Sequence, residues 1–283
     1  MLRLLIVVAL GAAVAVAGSV DGARWQGVPV LLLCAAVAFA IQWLAFVPAY
    51  LRQTERFYDL TGSATYLTVT AMSLLLTPSP GAVGWLIGAC IVIWALRLGS
   101  FLFRRISRDG SDSRFDRIKP DPQRFLFTWS LQGLWVVMTA ACGLAAITAS
   151  SGAAMGPISW LGFLVWALGF GIEVIADNQK RQFRAGSGSD RFIDTGLWAV
   201  SRHPNYFGEI LLWCGVALMA LPVLSGWTLL TLVSPLFVFV LLTRISGIPM
   251  LENKGARRWG EDPGYQRYCR ETPLLVPYLG RKG

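Results

Sequence analysis

Residues 201–221 read SRHPNYFGEILLWCGVALMAL, with polar Arg202, His203, Asn205 and Glu209 crowded before an apolar run from Ile210 to Leu221. Proline is at home in the first turn of a helix, where its fixed φ is preorganised and its missing N–H is no loss, so Pro204 marks the start of a helix. Asn205 and Glu209, four apart, then share a face that Trp213 continues. The free N–H groups and positive dipole end of such a helix suit an anion, and Arg202 with His203 adjoins that end. The stretch therefore reads as a membrane-spanning helix that opens at a polar site.

The whole chain supports that reading. Its 283 residues are 55% hydrophobic and 14% charged, against roughly a quarter charged in an ordinary soluble chain. Runs long enough to cross a bilayer, about 20 apolar residues, fall at 2–18, 27–49, 60–77, 82–103, 125–149, 157–176, 205–221 and 226–246. The expectation is an all-α polytopic bundle of eight spans in a single integral membrane domain, residues 1–283, with a C-terminal tail at 252–283. Positively charged loops stay in the cytoplasm. Arg3, Arg52, Arg56, the stretch Arg104 to Arg124, the loop Lys180 to Arg202 and the tail Lys254 to Lys282 all lie on one side, whereas the opposite loops carry little beyond Arg24. Both termini are thus expected in the cytoplasm. The basic start and short apolar run of residues 1–18 also fit a cleaved signal peptide, which would leave seven spans and the same cytoplasmic tail.

The net charge of +9 is accounted for by a basic face beside anionic lipid, so no nucleic-acid partner is called for; basic loops also suit a phosphorylated ligand. Of the five cysteines, four sit in apolar spans and Cys269 in the tail, without paired spacing, so neither disulfides nor a metal site are expected. No internal repeat, GxGxxG or GxxxxGK[ST] loop occurs, so a bound nucleotide would not sit in a Rossmann or P-loop module. The stretch AGSGSD, 185–190, reads as a connector.

Polar groups at membrane depth are costly and are functional candidates by default. Glu173, Asp177, Lys180 and Arg184 follow the sixth span on one helix face. They form either a solvated ladder of acid-before-base pairs or the wall of a site. Arg97 lies inside the fourth span, reading either as a site residue or as an arginine snorkelling to the interface. The loop RDGSDSRFDRIKPDP, 108–122, interleaves acids with arginines. In TERFYDLTGS, 54–63, Tyr58 and Asp59 are placed to meet a substrate entering the bundle, and Asp59 reads equally well as the N-cap of the third helix.

The stretches WALRLGSFLFRRI, DSRFD, FGIEVIADNQKRQFR, DTGLWAVSRHPNYFGEILLW, SGIPMLE and YQRYCRETPLLVP together resemble the steroid 5-alpha-reductase family of polytopic membrane reductases, and more closely its bacterial branch. The resemblance covers residues 50–283 and implies an NADPH-dependent reductase in a bacterial inner membrane. Its cofactor would be held in a cytoplasm-facing pocket and its substrate would be a lipid, steroid-like or other, with an activated carbon–carbon double bond. Carried over residue by residue, it assigns dinucleotide contacts to Arg97, Glu173, Asp177, Arg184, Arg191, Asn205 and Glu209. Asp112, Arg114, His203, Tyr206 and Tyr268 match motif positions that support the pocket, and Lys180 and Arg202 join them by position. Where the steroid reductases place a tyrosine three residues before the arginine matching Arg97, this chain has Trp94, and Asp59, with Tyr58, is the candidate proton donor.

Two rivals stand beside this reading. The isoprenylcysteine carboxyl methyltransferases, which use S-adenosylmethionine, also carry an RHPxYxG-like stretch, but EVIADNQKRQFR and DSRFD fit the reductases and supply more basic groups than a ligand without phosphates requires. A non-enzymatic lipid carrier or transporter would also use buried acids, yet no paired interrupted helices accompany them.

Overall fold

The computed structural model describes residues 1–109, 112, 115–149, 154–187 and 191–278. Among these the regular structure is helical apart from one short ribbon, in the order α1 (Leu2–Gly18), β1 (Arg24–Trp25), β2 (Val28–Pro29), α2 (Val30–Leu51), α3 (Tyr58–Leu76), α4 (Gly81–Asp109), α5 (Pro122–Thr148), α6 (Pro157–Ser187), α7 (Pro204–Ala220), α8 (Val233–Val240), α9 (Gly247–Trp259) and α10 (Pro263–Glu271). The antiparallel ribbon turns through Gln26 and Gly27, both at positive φ (49° and 83°), the backbone a tight two-residue hairpin demands.

Six helical stretches among the described residues are long and apolar enough to cross a membrane: α2, α4, α5, α6, α7 with the short turn after it, and Gly226–Trp259. The remaining two expected spans are helical as well. α1 is apolar but has 17 residues, and α3 carries threonines, serines and a glycine that lower its hydropathy. Most of those small residues face inward: Gly62, Ser63, Thr65, Thr70 and Ser73 are all buried, as expected where helices pack in lipid through small side chains and no hydrophobic drive between them exists. The protein is an all-α integral membrane protein.

The eighth expected span is not one α-helix. It begins as a 3₁₀ turn over Gly226–Leu232, capped by reciprocal bonds between Ser225 and Thr228, continues as α8 and ends as a π turn over Leu241–Ile245. The 31-residue α6 runs past the expected end of its span and takes the first residues of the expected 185–190 connector into the helix.

Two compact units divide the chain, Met1–Trp160 with Val216–Ser234, and Leu161–Gly215 with Pro235–Gly283. The first is organised around α5, which packs on α1, α2, α3 and α4 and has Phe125, Trp129 and Ile147 fully buried. Close approach comes from glycines: a Cβ on Gly133 would lie 2.9 Å from the Phe39 ring. Within the same layer Gln42 Nε2 donates to Thr65 Oγ1 at 2.8 Å and Gln132 Nε2 to the Tyr58 carbonyl at 3.0 Å, bonds worth about 1 kcal/mol each in a membrane interior.

Candidate functional site

In the second unit, α6 and α7 touch backbone to backbone. A Cβ on Gly208 would lie 2.6 Å from the Gly169 carbonyl oxygen and 2.7 Å from the Glu173 nitrogen, and one on Gly215 would lie 2.5 Å from the Trp166 nitrogen. Only glycine allows this spacing, the small-residue contact familiar between membrane helices. It sets Glu173 against the first turns of α7, directly beside the glycine that lies between Asn205 and Glu209.

Glu173 and Asp177 are buried, at 2% and 6% exposure. This departs from a solvated ladder of charges along α6. Lys180, one turn on, stands 4.5 Å over the Trp198 ring, a cation–π contact, and Trp198 Nε1 donates to the Ala176 carbonyl at 3.0 Å. Gln179 Oε1 accepts from the Leu197 amide at 2.9 Å, while Gly196, at φ +63°, lies against that side chain where a Cβ would collide. Residues 195–199 are thereby clamped to the end of α6. Arg184 and Arg191 are exposed. A shallow pocket of about 320 Å³ lined by Gln179, Gln182, Phe183, Gly186, Thr195 and Gly196 lies on the α6 face opposite the acids.

Pro204 is the first residue of α7, as its chemistry predicts, and the His203 carbonyl accepts the Phe207 amide at 3.1 Å. Ser201 Oγ accepts from the His203 amide at 3.2 Å and donates to the Leu275 carbonyl at 2.7 Å. The Arg202 amide donates to the Pro273 carbonyl at 2.8 Å, so the C-terminal segment is laced along the entry to α7. Glu252, on α9, receives both neighbours of that entry: Arg202 Nη1 at 2.6 Å and His203 Nε2 at 2.8 Å. The Tyr206 ring is stacked on His203 at 5.8 Å and 11°. Burial pushes the imidazole below its ordinary pKa; the bond to Glu252 opposes this, Lys180 and Arg202 add to it, and the ring stays neutral. Among the described residues, His203 Nδ1 and Asn205 Oδ1 are buried polar atoms without a hydrogen-bond partner. Glu209 is half-buried one turn beyond Asn205. Tyr268 donates to the Trp198 carbonyl at 2.7 Å, and burial raises its phenol, which stays protonated.

The other candidates belong to the first unit. Tyr58 is buried against Phe115 and Trp129, with its hydroxyl donating to the Thr128 carbonyl at 3.0 Å. Asp59 is not the N-cap of α3: Phe57 holds that position, and Asp59 sits within the first turn, where the helix dipole favours its charge. Trp94 is 3% exposed and meets Tyr66 edge-on at 5.1 Å. The half-buried Arg97 holds its guanidinium 5.5 Å from the Phe101 ring centre. Arg114 lies outside the described residues. The Asp112 amide donates to Glu55 Oε1 at 2.8 Å, and Lys119 Nζ donates to Glu55 Oε2 at 2.6 Å. Burial by itself raises the Glu55 carboxyl, but the bonds from Lys119 and Asp112 outweigh it and hold it below the usual carboxylate range.

Three residues of this arrangement escaped the sequence reading: Glu55, Lys119 and Glu252. Each lay inside or beside a quoted motif. Glu55 precedes Tyr58 by three residues and Glu252 closes SGIPMLE, but nothing in spacing alone pairs either with a partner far along the chain.

The fold and these sites define a polytopic membrane protein with two buried acids held at the head of a neighbouring helix. Residues 45–272 match the family model described as Protein of unknown function (DUF1295), and the chain belongs to that family. It is similar to the 3-oxo-5-alpha-steroid 4-dehydrogenase 1 of Rattus norvegicus, 29% identical over 125 residues, 44% of this chain and 42% of that protein. The protein of that name from Mus musculus is 28% identical over 125 residues, 44% of this chain and 43% of its own length. The chain thus matches less than half the length of these curated relatives. They bear out the resemblance to the steroid 5-alpha-reductases. No solved structure matches the chain.

Proposed function

We propose that the protein is an NADPH-dependent membrane reductase that saturates a carbon–carbon double bond of a steroid-like or other lipid, with its cofactor side toward the cytoplasm of a bacterial inner membrane. The observation that carries the reading is the burial of Glu173 and Asp177 at the glycine contact between α6 and the head of α7. Buried carboxylates accept hydrogen bonds from hydroxyl and amide groups, and the first-turn amides of α7 with Arg202 favour phosphate. The acceptor atoms of His203 and Asn205 that lack a protein partner fit a ligand bringing N–H or O–H donors. Arg184 and Arg191, exposed at the end of α6 and after it, supply the planar forks that grip a 2′-phosphate.

A reduced nicotinamide supplies hydride. The chain's own task is then to hold the lipid, exclude water, and deliver a proton to the second alkene carbon or to an enolate oxygen. Tyr58 and Asp59 at the start of α3 are the proposed donors, and Trp94 is an apolar wall for the substrate.

The experiment is a cofactor titration of purified protein in nanodiscs, following thermal stability with NADPH, NADH and S-adenosylmethionine. NADPH is expected to stabilise at the lowest concentration. Stabilisation by S-adenosylmethionine alone would replace this reading with the methyltransferase, and none by any of the three would favour a carrier.

A further inference from the structure

We propose that Glu252 is a positioning residue that fixes the chain's only histidine as its Nε2–H tautomer, so that His203 Nδ1 stands in the site as a buried acceptor for an N–H or O–H donor of the bound ligand. A carboxylate has no hydrogen to give, so the 2.8 Å contact between His203 Nε2 and Glu252 Oε1 requires the proton on Nε2. The carboxylate cannot turn away, because its other oxygen holds Arg202 Nη1 at 2.6 Å. The imidazole cannot swing either. Its side chain is 5% exposed and its face is stacked on Tyr206. Tyr206 in turn lies against Gly247, where a Cβ would stand 2.8 Å from the ring, and Gly247 opens the helix that carries Glu252.

This leaves Nδ1 as a lone pair in a buried place without a protein partner. A buried acceptor left unsatisfied is expensive, and orphans of this kind are filled by water or by ligand. Protonating Nδ1 as well as Nε2 would charge a buried ring, which burial, Lys180 and Arg202 oppose and Glu252 alone does not offset. Asn205, two residues on, has its own Oδ1 buried without a partner, and Arg202 Nε is a buried donor in the same position, so the head of α7 offers two acceptors beside one cationic donor. A carboxamide or a sugar hydroxyl matches that pattern; a second carbonyl does not. The ligand half of the inference rests on the proposed cofactor reading, and the tautomer half does not.

A single histidine makes the test direct. Protein labelled at histidine with the heavy nitrogen isotope gives one imidazole, whose two nitrogen resonances report the tautomer. At neutral pH the wild type is expected to show a bare Nδ1 and a protonated Nε2. Glu252→Ala is expected to mix the two tautomers and to weaken NADPH about tenfold, the loss of one hydrogen bond, while Glu252→Gln, which can still accept from Nε2–H, retains part of both. Saturating NADPH is expected to shift the Nδ1 resonance. A wild-type ring protonated on Nδ1, or Glu252→Ala with an unchanged tautomer and unchanged NADPH affinity, overturns the proposal. So does bound NADPH, detected by thermal shift, that leaves Nδ1 unmoved. If the wild-type and Glu252→Ala spectra come out as expected but NADPH fails to bind, the positioning role stands and the reductase reading falls.

Discussion

Glu55 and Lys119, 64 residues apart in the chain, meet at 2.6 Å, and the same carboxylate takes the Asp112 amide. One buried acid between α2 and α3 thus holds the segment that leads from α4 into α5. Glu55→Gln leaves the half-buried Lys119 with the exposed Asp116 at 3.6 Å in place of its buried partner and is expected to cost about 3 kcal/mol, the scale for removing one partner of a buried pair. Denaturant unfolding of the purified variant measures it; a loss below about 1 kcal/mol would reduce the contact to a surface ion pair.

The same pair sets a pH window. Glu55 titrates below its ordinary range in the folded protein, so its contribution is present above the ordinary carboxylate pKa and is lost as pH falls through the depressed value. For Lys119, burial opposes the charge but Glu55 and then Asp116 outweigh it, and its pKa is raised. Its contribution is complete below the ordinary lysine pKa and disappears as pH climbs through the raised one. Wild-type stability minus that of a double Glu55→Gln, Lys119→Met variant should therefore be flat through neutrality and fall at both extremes. A difference that changes near neutral pH would contradict the assignment.

Gly208 is the point where α7 meets the Glu173 backbone. Gly208→Val is expected to force the helices apart and destabilise the protein by about 3 kcal/mol, the upper range for overpacking, with loss of NADPH binding. Unchanged thermal stability and binding in nanodiscs would mean that the two helices need not touch.

Much of this arrangement is legible in the sequence. Pro204 announces the start of α7, and the four-residue spacing of Asn205 and Glu209 places them on one face. The inward polarity of α3 is visible only with the fold in hand, because Ser63 and Thr65 look like interruptions of an apolar run until Gly99 of α4 and Gln42 of α2 are packed against them. Glu55 and Glu252 have partners set by tertiary folding, with Glu252 bonded to residues about fifty positions away, and no local pattern encodes such a pairing. The 3₁₀ and π turns around α8 escaped for another reason: hydropathy reports that a segment is buried in lipid, not how its backbone winds.

Glu209→Ala is expected to abolish NADPH binding while the protein still inserts and melts cooperatively, since the proposed role of the side chain is a ligand contact one turn beyond Asn205. Binding within a few-fold of wild type would make Glu209 structural.

Asp59→Asn is expected to preserve NADPH affinity and lower turnover by about 10², the usual scale of general acid catalysis. Its place in the first turn of α3 favours the carboxylate, so acting as the acid requires bound lipid to expel water from around it. Tyr58→Phe is the parallel variant. Near-normal turnover in Asp59→Asn with a large loss in Tyr58→Phe would transfer the role to the phenol, at the cost of its bond to Thr128.

Deuteride transfer from NADPH to a lipid separates a reductase from every other reading. Purified protein in nanodiscs is incubated with NADPH deuterated at the reactive position of the nicotinamide and a panel of lipid enones and polyenes, and the products are read by mass spectrometry. A saturated product carrying one deuterium on carbon is expected, formed by the wild type and lost in Glu209→Ala. Products that remain unsaturated and unlabelled across the panel, from protein shown by thermal shift to be folded and to bind S-adenosylmethionine but not NADPH, would contradict it.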